Sequence, residues 1–270
     1  MLEAIGGGAL IAAESGPELP SINDFLPPEI LFQGTPFAMN RIILVRVVAT
    51  VILLLVLGIT AARAKLIPSR WQGAVEWVIE FVRDSIVYDT LGEERGRRYV
   101  PMIATIFFSV LVFNLCGVIP GMNIAATATV TMPLFFAIWS FFGYMSAGIR
   151  EQGWVGYFKS ELFPAGVPWP LYIILTPIQL FEMIIVKPAS LTIRLFANMI
   201  AGHLLVAVTL AFTQFYIFEA ANKLMAVAGV AWFALGFTLT CFEIFVAALQ
   251  AYIFAILTTV YIGMSYPEED

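Results

Sequence analysis

The sequence predicts an all-α integral membrane protein with about five transmembrane helices, one amphipathic surface helix, and a long, steeply tilted hairpin formed by the last two helices. Three observations carry this expectation. Of 270 residues, 60% are hydrophobic and 12% charged, and the mean hydropathy of +0.90 is far above that of a soluble domain. The apolar residues fall in runs that can cross a hydrocarbon core about 30 Å thick, which takes about 20 helical residues. Two runs near the C-terminus are about twice that length.

The elements follow in order. Residues 1–40 are rich in glycine, proline and acids, and Pro27, Pro28 and Pro36 forbid a continuous helix, so an irregular extramembrane segment is expected. Met1 to Ala13 lacks a positive n-region, and we expect it to stay uncleaved. A single membrane domain then covers 41–264. Its first span is 42–62, with Arg46 near enough to the start to snorkel to the interface as an anchor. Over 71–88, Trp71, Val75, Val78, Val82 and Ile86 share one helical face and Gln72, Glu76, Glu80, Arg83 and Asp84 the other. That pattern suits a helix lying on the membrane surface, or one packed on a partner.

Arg95, Arg97 and Arg98 lead into the second span, 100–119, with Asn114 near its far end. The third is placed at 125–147, where Thr127, Thr129 and Thr131 alternate at the start, and Arg150 and Lys159 mark its exit. Pro164, Pro168 and Pro170 punctuate the next loop, before runs over 171–216 and 225–264 and a tail over 265–270. As one helix, 171–216 would be about 69 Å long, more than twice the core thickness. It must tilt, kink or project, and Pro177 and Pro188 are available kink points.

Arg63, Lys65, Arg70, Arg83, Arg95, Arg97, Arg98, Arg150 and Lys159 all fall in two loops on one side, which the positive-inside rule makes cytoplasmic. Five crossings then put the N-terminus outside and the C-terminal tail in the cytoplasm. No basic patch supports nucleic-acid binding. Cys116 and Cys241 lie in apolar runs and read as reduced packing residues, and the single histidine, His203, has no metal-ligand spacing around it. No phosphate-cradling glycine loop or nucleophile elbow occurs, so neither cofactor nor catalytic chemistry is expected of this chain.

The informative segment is Phe181 to His203, where Glu182, Lys187, Arg194 and His203 interrupt one apolar stretch. Insertion scales charge about 2.5–3.5 kcal/mol for one Arg or Lys at the centre of a span, so such groups usually mark a functional pathway. Glu182 and Lys187, five residues apart, admit two readings: an ion pair near an interface, or part of a pathway. Ser190, Arg194 and Asn198 line one face at spacing four, a polar stripe around a fixed positive charge. Arginine keeps its proton, so Arg194 can repel protons and attract a carboxylate but cannot relay protons. His203 titrates near neutrality and lies about 13 Å further along the axis. In the last run Glu243 and Gln250, seven apart, share a face that an antiparallel hairpin can turn toward His203 and Arg194. A His203–Glu243 pair would suit proton relay, whereas a packed neutral carboxyl at Glu243 and an interhelical hydrogen bond at Gln250 are the structural alternatives.

Lys187 to His203, reading KPASLTIRLFANMIAGH, resembles the hallmark segment of subunit a of the F-type ATP synthase, its membrane stator component. Leu249 to Phe254 with Leu257, Thr258 and Tyr261 is similar to that family's final-helix motif, and Asn114 to Pro120 to its earlier Asn-to-Pro motif. The likeness covers about residues 42–264, with the three motifs in the right order. It implies two offset aqueous half-channels that meet a rotating ring of c subunits, each with a membrane-embedded carboxylate. It further implies b subunits of a peripheral stalk, other synthase subunits, lipid and protons as partners, and a bacterial cell membrane as the location. On this resemblance Arg194 is the arginine that faces the ring and separates the half-channels. Asn198 and Gln250 match polar positions near it, and Asn114, His203 and Glu243 match positions of the outer half-channel. The best-known bacterial members carry an acid where His203 stands and a histidine where Glu243 stands, so the two groups are exchanged here. A secondary transporter is the main rival, but no internal repeat is visible in the sequence.

Overall fold

The computed structural model describes residues 29–31, 39–65, 67–119, 127, 129–163, 167–219 and 225–267. Within the N-terminal segment expected to be irregular, strands β1 (Glu29–Leu31) and β2 (Met39–Asn40) pair antiparallel, with Glu29 opposite Asn40. Most of that segment lies outside the described residues.

Helix α1 (Arg41–Ala62) starts where the Asn40 side chain accepts a hydrogen bond from the Ile43 amide at 2.9 Å, satisfying one of the donors a helix start leaves open. Only Ile42, Val45 and Ala49 are buried, one narrow stripe at spacings of three and four. Leu54, Leu55 and Ile59 stay more than half exposed, as lipid-facing residues do in the absence of the bilayer.

Helix α2 (Arg70–Phe81) runs on through a π turn (Val82–Tyr88) into the short helices α3 (Asp89–Leu91) and α4 (Glu93–Gly96). Its two faces differ from the expectation at the start. Trp71 is exposed and Gln72 buried, because the Gln72 amide folds back to bond both the N–H and the carbonyl of Lys65 at 3.2 and 3.0 Å. Val82 and Ile86 are fully buried as the pattern implies, and the π turn adds Val87. The Phe81 ring meets Phe107 edge-on and lies tilted against Tyr252, so protein covers this face. On the exposed face Arg83 pairs with Asp84 at 2.7 Å, which holds the Asp84 carboxyl below its ordinary range.

Helix α5 (Val100–Leu115) is shorter than the expected 100–119, although i→i−4 hydrogen bonds continue to Cys116 and Ile119. Helix α6 (Thr131–Leu162) both starts and ends later than the expected 125–147; residues 120–126 lie outside the described part. Arg150, Glu151 and Gln152 do not stop it. The break comes at Gly153, whose φ of 72° is open to glycine and strained for other residues. Phe136, Ala137, Ser140, Gly143, Tyr144, Ala147 and Gly148 form its buried face, and these small residues permit close packing.

A 3₁₀ turn (Trp169–Leu171) opens the first long run, followed by α7 (Tyr172–Phe181), a π turn (Glu182–Val186), α8 (Lys187–Gln214) and a second π turn (Phe215–Glu219). Neither Pro177 nor Pro188 ends the helix; the departure from α geometry is the π turn that precedes Pro188. Helix α9 (Met225–Met264) fills the last run. Among the described residues four stretches are long and apolar enough to span a bilayer, Arg41–Ala62, Thr131–Leu162, Trp169–Phe218 and Ala226–Met264, and α5 is a shorter apolar helix. The protein is thus an all-α multi-pass membrane protein.

Its chain forms two compact units, one of residues 201–243 and the other drawn from 28–200 and 244–270. In the first, Gly202 faces Glu243, Thr209 faces Gly236, Phe212 stacks on Trp232 at 4.6 Å and Ile217 faces Gly229. That descending register makes α8 and α9 antiparallel there. In the second, Val82, Ile86, Ile103, Ile106, Phe113, Phe136 and Phe254 belong to one core. A Cβ on Gly148 would fall well inside van der Waals contact of the Tyr157 ring, whereas one on Gly58 would meet nothing within 4 Å. Gly148→Ala is therefore expected to destabilise the detergent-solubilised protein by about 1–3 kcal/mol through overpacking. Gly58→Ala should leave it unchanged, and thermal unfolding of the two variants beside the parent checks this.

Candidate functional site

The larger unit holds most of the ionisable and amide groups flagged by the sequence. Arg194 lies about two turns into α8, half-buried between the fully buried Leu195 and Ile193, which is 62% exposed. It makes no hydrogen bond or ion pair among the described residues, an unusual state for a guanidinium flanked by apolar groups. Ser190, one turn earlier, is also half-buried. One turn later Asn198 donates from Nδ2 to Gln250 Oε1 at 2.8 Å, tying α8 to α9. Gln250 is buried, and its own Nε2 has no partner among the described residues.

Asn114 closes α5. Its Oδ1 accepts from Thr127 Oγ1 at 2.8 Å, while its fully buried Nδ2 likewise lacks a partner among the described residues. Such orphaned donors are costly in a dry interior and suit contact with water or a polar guest. Nearby in sequence, Thr129 accepts from Arg46, so that arginine makes a contact inside the protein beyond the anchoring expected of it.

Glu182 and Lys187 do not pair. Glu182 is exposed and has no ion pair among the described residues, while Lys187 is buried and its Nζ lies 3.0 Å from Glu161 Oε1. Sequence reasoning missed Glu161. The available signal was an acid at the close of an apolar helix, with a buried lysine elsewhere needing a counter-charge. The Ser140–Thr258 hydrogen bond at 3.0 Å and the Tyr144 contact with Met183 were also not foreseen.

In the smaller unit His203 Nδ1 lies 3.2 Å from Glu243 Oε1, and the side chains are 9% and 14% exposed. The approach depends on Gly202, since a Cβ there would collide with the Glu243 carboxylate. At this distance the imidazole and the carboxylate share a hydrogen bond that joins α8 to α9. Among the described residues no group of three or more His, Cys, Asp or Glu could hold a metal ion.

Fold and side chains together define a helical multi-pass membrane protein that sets a fixed cation, paired amides and a titratable pair along two long apolar helices. The chain belongs to the ATP synthase A chain family, whose pattern matches residues 43–263. It is 37% identical to ATP synthase subunit a of Rhodococcus erythropolis over 246 residues, 91% of this chain and 89% of the relative. It is 34% identical to the subunit a of Frankia alni, covering 94% and 87%, and 31% identical to that of Pseudarthrobacter chlorophenolicus, covering 94% and 95%. It is thus a membrane subunit of the Fo sector of ATP synthase, not itself catalytic.

Neutralising the buried amide contact should leave a trace in stability. Gln250→Leu removes the acceptor of Asn198 and is expected to change unfolding free energy by no more than about 1–2 kcal/mol, because an orphaned donor disappears with it. Chemical denaturation in mixed micelles measures the difference.

Proposed function

We propose that this chain is the stator half of a rotary proton motor, giving protons two offset half-channels to and from the carboxylates of a c-subunit ring. The single observation that carries this is Arg194, a permanent charge in an apolar helix with no counter-ion among the described residues of its own chain. A passing ring carboxylate would supply that counter-ion. In turn, the guanidinium draws the deprotonated carboxylate in and repels protons that would otherwise leak directly between the half-channels. It carries no proton itself.

The carriers are His203 and Glu243, in contact at 3.2 Å, with Asn114 placing an unpartnered buried N–H where water can be held. Asn198 and Gln250, joined at 2.8 Å, keep α8 and α9 in register beside the arginine. A titratable pair on the path favours H+ as the coupling ion. One charge crossing 100 mV yields about 2.3 kcal/mol, so several protons must be combined for each ATP, which is the task of a ring. Ser190 belongs to the same stripe, and Glu182, exposed on the cytoplasmic half, is a further pathway position.

By the distribution of Lys and Arg the N-terminus is outside and the C-terminus cytoplasmic, in a bacterial cell membrane. The amphipathic helix over 71–88 lies on the cytoplasmic surface, the long hairpin is steeply tilted, and b subunits hold the chain against rotation.

Arg194→Ala in the whole complex, reconstituted in vesicles, is expected to lower ATP-driven proton pumping by about two to four orders of magnitude, the equivalent of the roughly 3–5 kcal/mol lost when one partner of a buried charge pair is removed. Normal pumping would overturn the proposal. His203→Glu and Glu243→His should each reduce pumping about tenfold, and the double exchange should recover most of it, because groups in contact couple by about 0.5–3 kcal/mol. Equal losses in the singles and the double would show that the pair does not act as a unit.

A further inference from the structure

The π turn at Glu182–Val186 stands seven residues ahead of Arg194 and carries an unusual set of side-chain braces. Within it the Lys187 N–H bonds to the Glu182 carbonyl. The next donor along the chain would be residue 188, a proline without an N–H. The Met183 carbonyl is thereby left over, and Tyr144 Oη fills the gap at 2.8 Å from α6. Met183 itself is fully buried, and Tyr157 Oη reaches its sulfur at 3.8 Å.

The same junction is clamped on its other side. Lys187 pairs with Glu161 at 3.0 Å, between the rings of Tyr144 and Tyr261, whose centroids lie 5.9 and 5.7 Å from Nζ. Thr176 donates to the Leu162 carbonyl at 3.1 Å, and the Gln179 amide, whose hydrogen-bonding surroundings assign its nitrogen to the side facing α6, donates to the Leu162 and Glu161 carbonyls at 3.0 and 2.9 Å. The last carbonyls of α6, which a helix end leaves open, are thus satisfied by α7, and its last acid by α8.

A π turn holds one residue more than an α turn, and each helical residue turns the chain by about 100°. Were the turn to relax to α geometry, everything beyond it would rotate by about that angle relative to α7. Arg194 would then stand where Leu195 or Ile193 now stands, the one fully buried and the other 62% exposed. We infer that the Lys187–Glu161 ion pair and the Tyr144 hydroxyl are positioning groups that hold this π turn and so set the direction in which Arg194 faces. The inference rests on the role proposed for Arg194. Lys187 has no part in proton transfer; its charge acts through the geometry of α8.

The test uses the whole reconstituted complex, with ATP hydrolysis and ATP-driven pumping measured side by side. Lys187→Met should leave hydrolysis and assembly intact and lower protons pumped per ATP by about tenfold, a factor that a misplaced reacting group readily costs. The charge exchange Lys187→Glu with Glu161→Lys should restore pumping to within about threefold, a rescue consistent with recovered coupling between paired charges. Tyr144→Phe, which keeps the ring and removes the hydroxyl, serves if Lys187→Met fails to assemble and should show the same uncoupling in weaker form. Parental pumping in Lys187→Met or Tyr144→Phe, or a loss in Lys187→Met that the exchange does not relieve, would overturn the inference. With Arg194→Ala as control, a dead control beside a normal Lys187→Met refutes only the positioning role. A pumping control refutes the reading beneath it.

Discussion

A guanidinium cannot shed its charge in hydrocarbon, and that constraint organises the rest of this molecule. Carboxylates and lysines in a membrane can neutralise themselves by moving a proton; Arg194 must be solvated or paired. The described residues of its own chain give it neither an acid nor a hydrogen-bond acceptor, and it sits at the edge of the buried face of α8. On the role proposed above, its counter-charge comes from another subunit. The amides nearby are held by one another, Asn198 with Gln250, so they do not quench it.

The scaffold around that charge is built from contacts that tolerate little change in shape. Buried threonines and serines bond back to their own helices or across to another, as Thr258 and Ser140 do. Glycine appears where something must pass: Gly148 under the Tyr157 ring and Gly202 beneath the Glu243 carboxylate. The second is the more telling, because a side chain at residue 202 would collide with the carboxylate that meets His203. The tyrosines have a similar double use, filling volume with the ring and closing an open hydrogen bond with the hydroxyl, as Tyr144 does at Met183.

Much of this could be read from the chain alone. Unbroken apolar runs gave the order of the long helices, since backbone in lipid has no other partner than itself, although of the five expected spans the run over 100–119 forms only the shorter α5. Charges within those runs gave Arg194, His203 and Glu243, because their cost demands a reason. What escaped is what depends on a third dimension with no periodic mark. The extent of α6 was missed because hydropathy falls at Arg150, whereas the helix runs on to Leu162 with a kink at Gly153, where φ is positive. The face of α2 was misread at Trp71 and Gln72 because a local amide-to-backbone clasp outweighs hydropathy there. For Lys187 an ion pair with Glu182, the acid nearest in sequence, was one of two readings, while the observed partner, Glu161, lies 26 residues back. Pro188 announced a departure from α geometry, but only the coordinates show that it takes the form of a π turn completed by a tyrosine.

An electron-cryomicroscopy structure of the intact complex in a lipid bilayer, resolved in each rotary state, tests the central claim most directly. In at least one state the Arg194 guanidinium should lie within about 4 Å of a ring carboxylate, or be joined to it by one water, with no acid of its own chain nearer. An Arg194 that is paired with an acid of its own chain, or turned to lipid, in every state would contradict it.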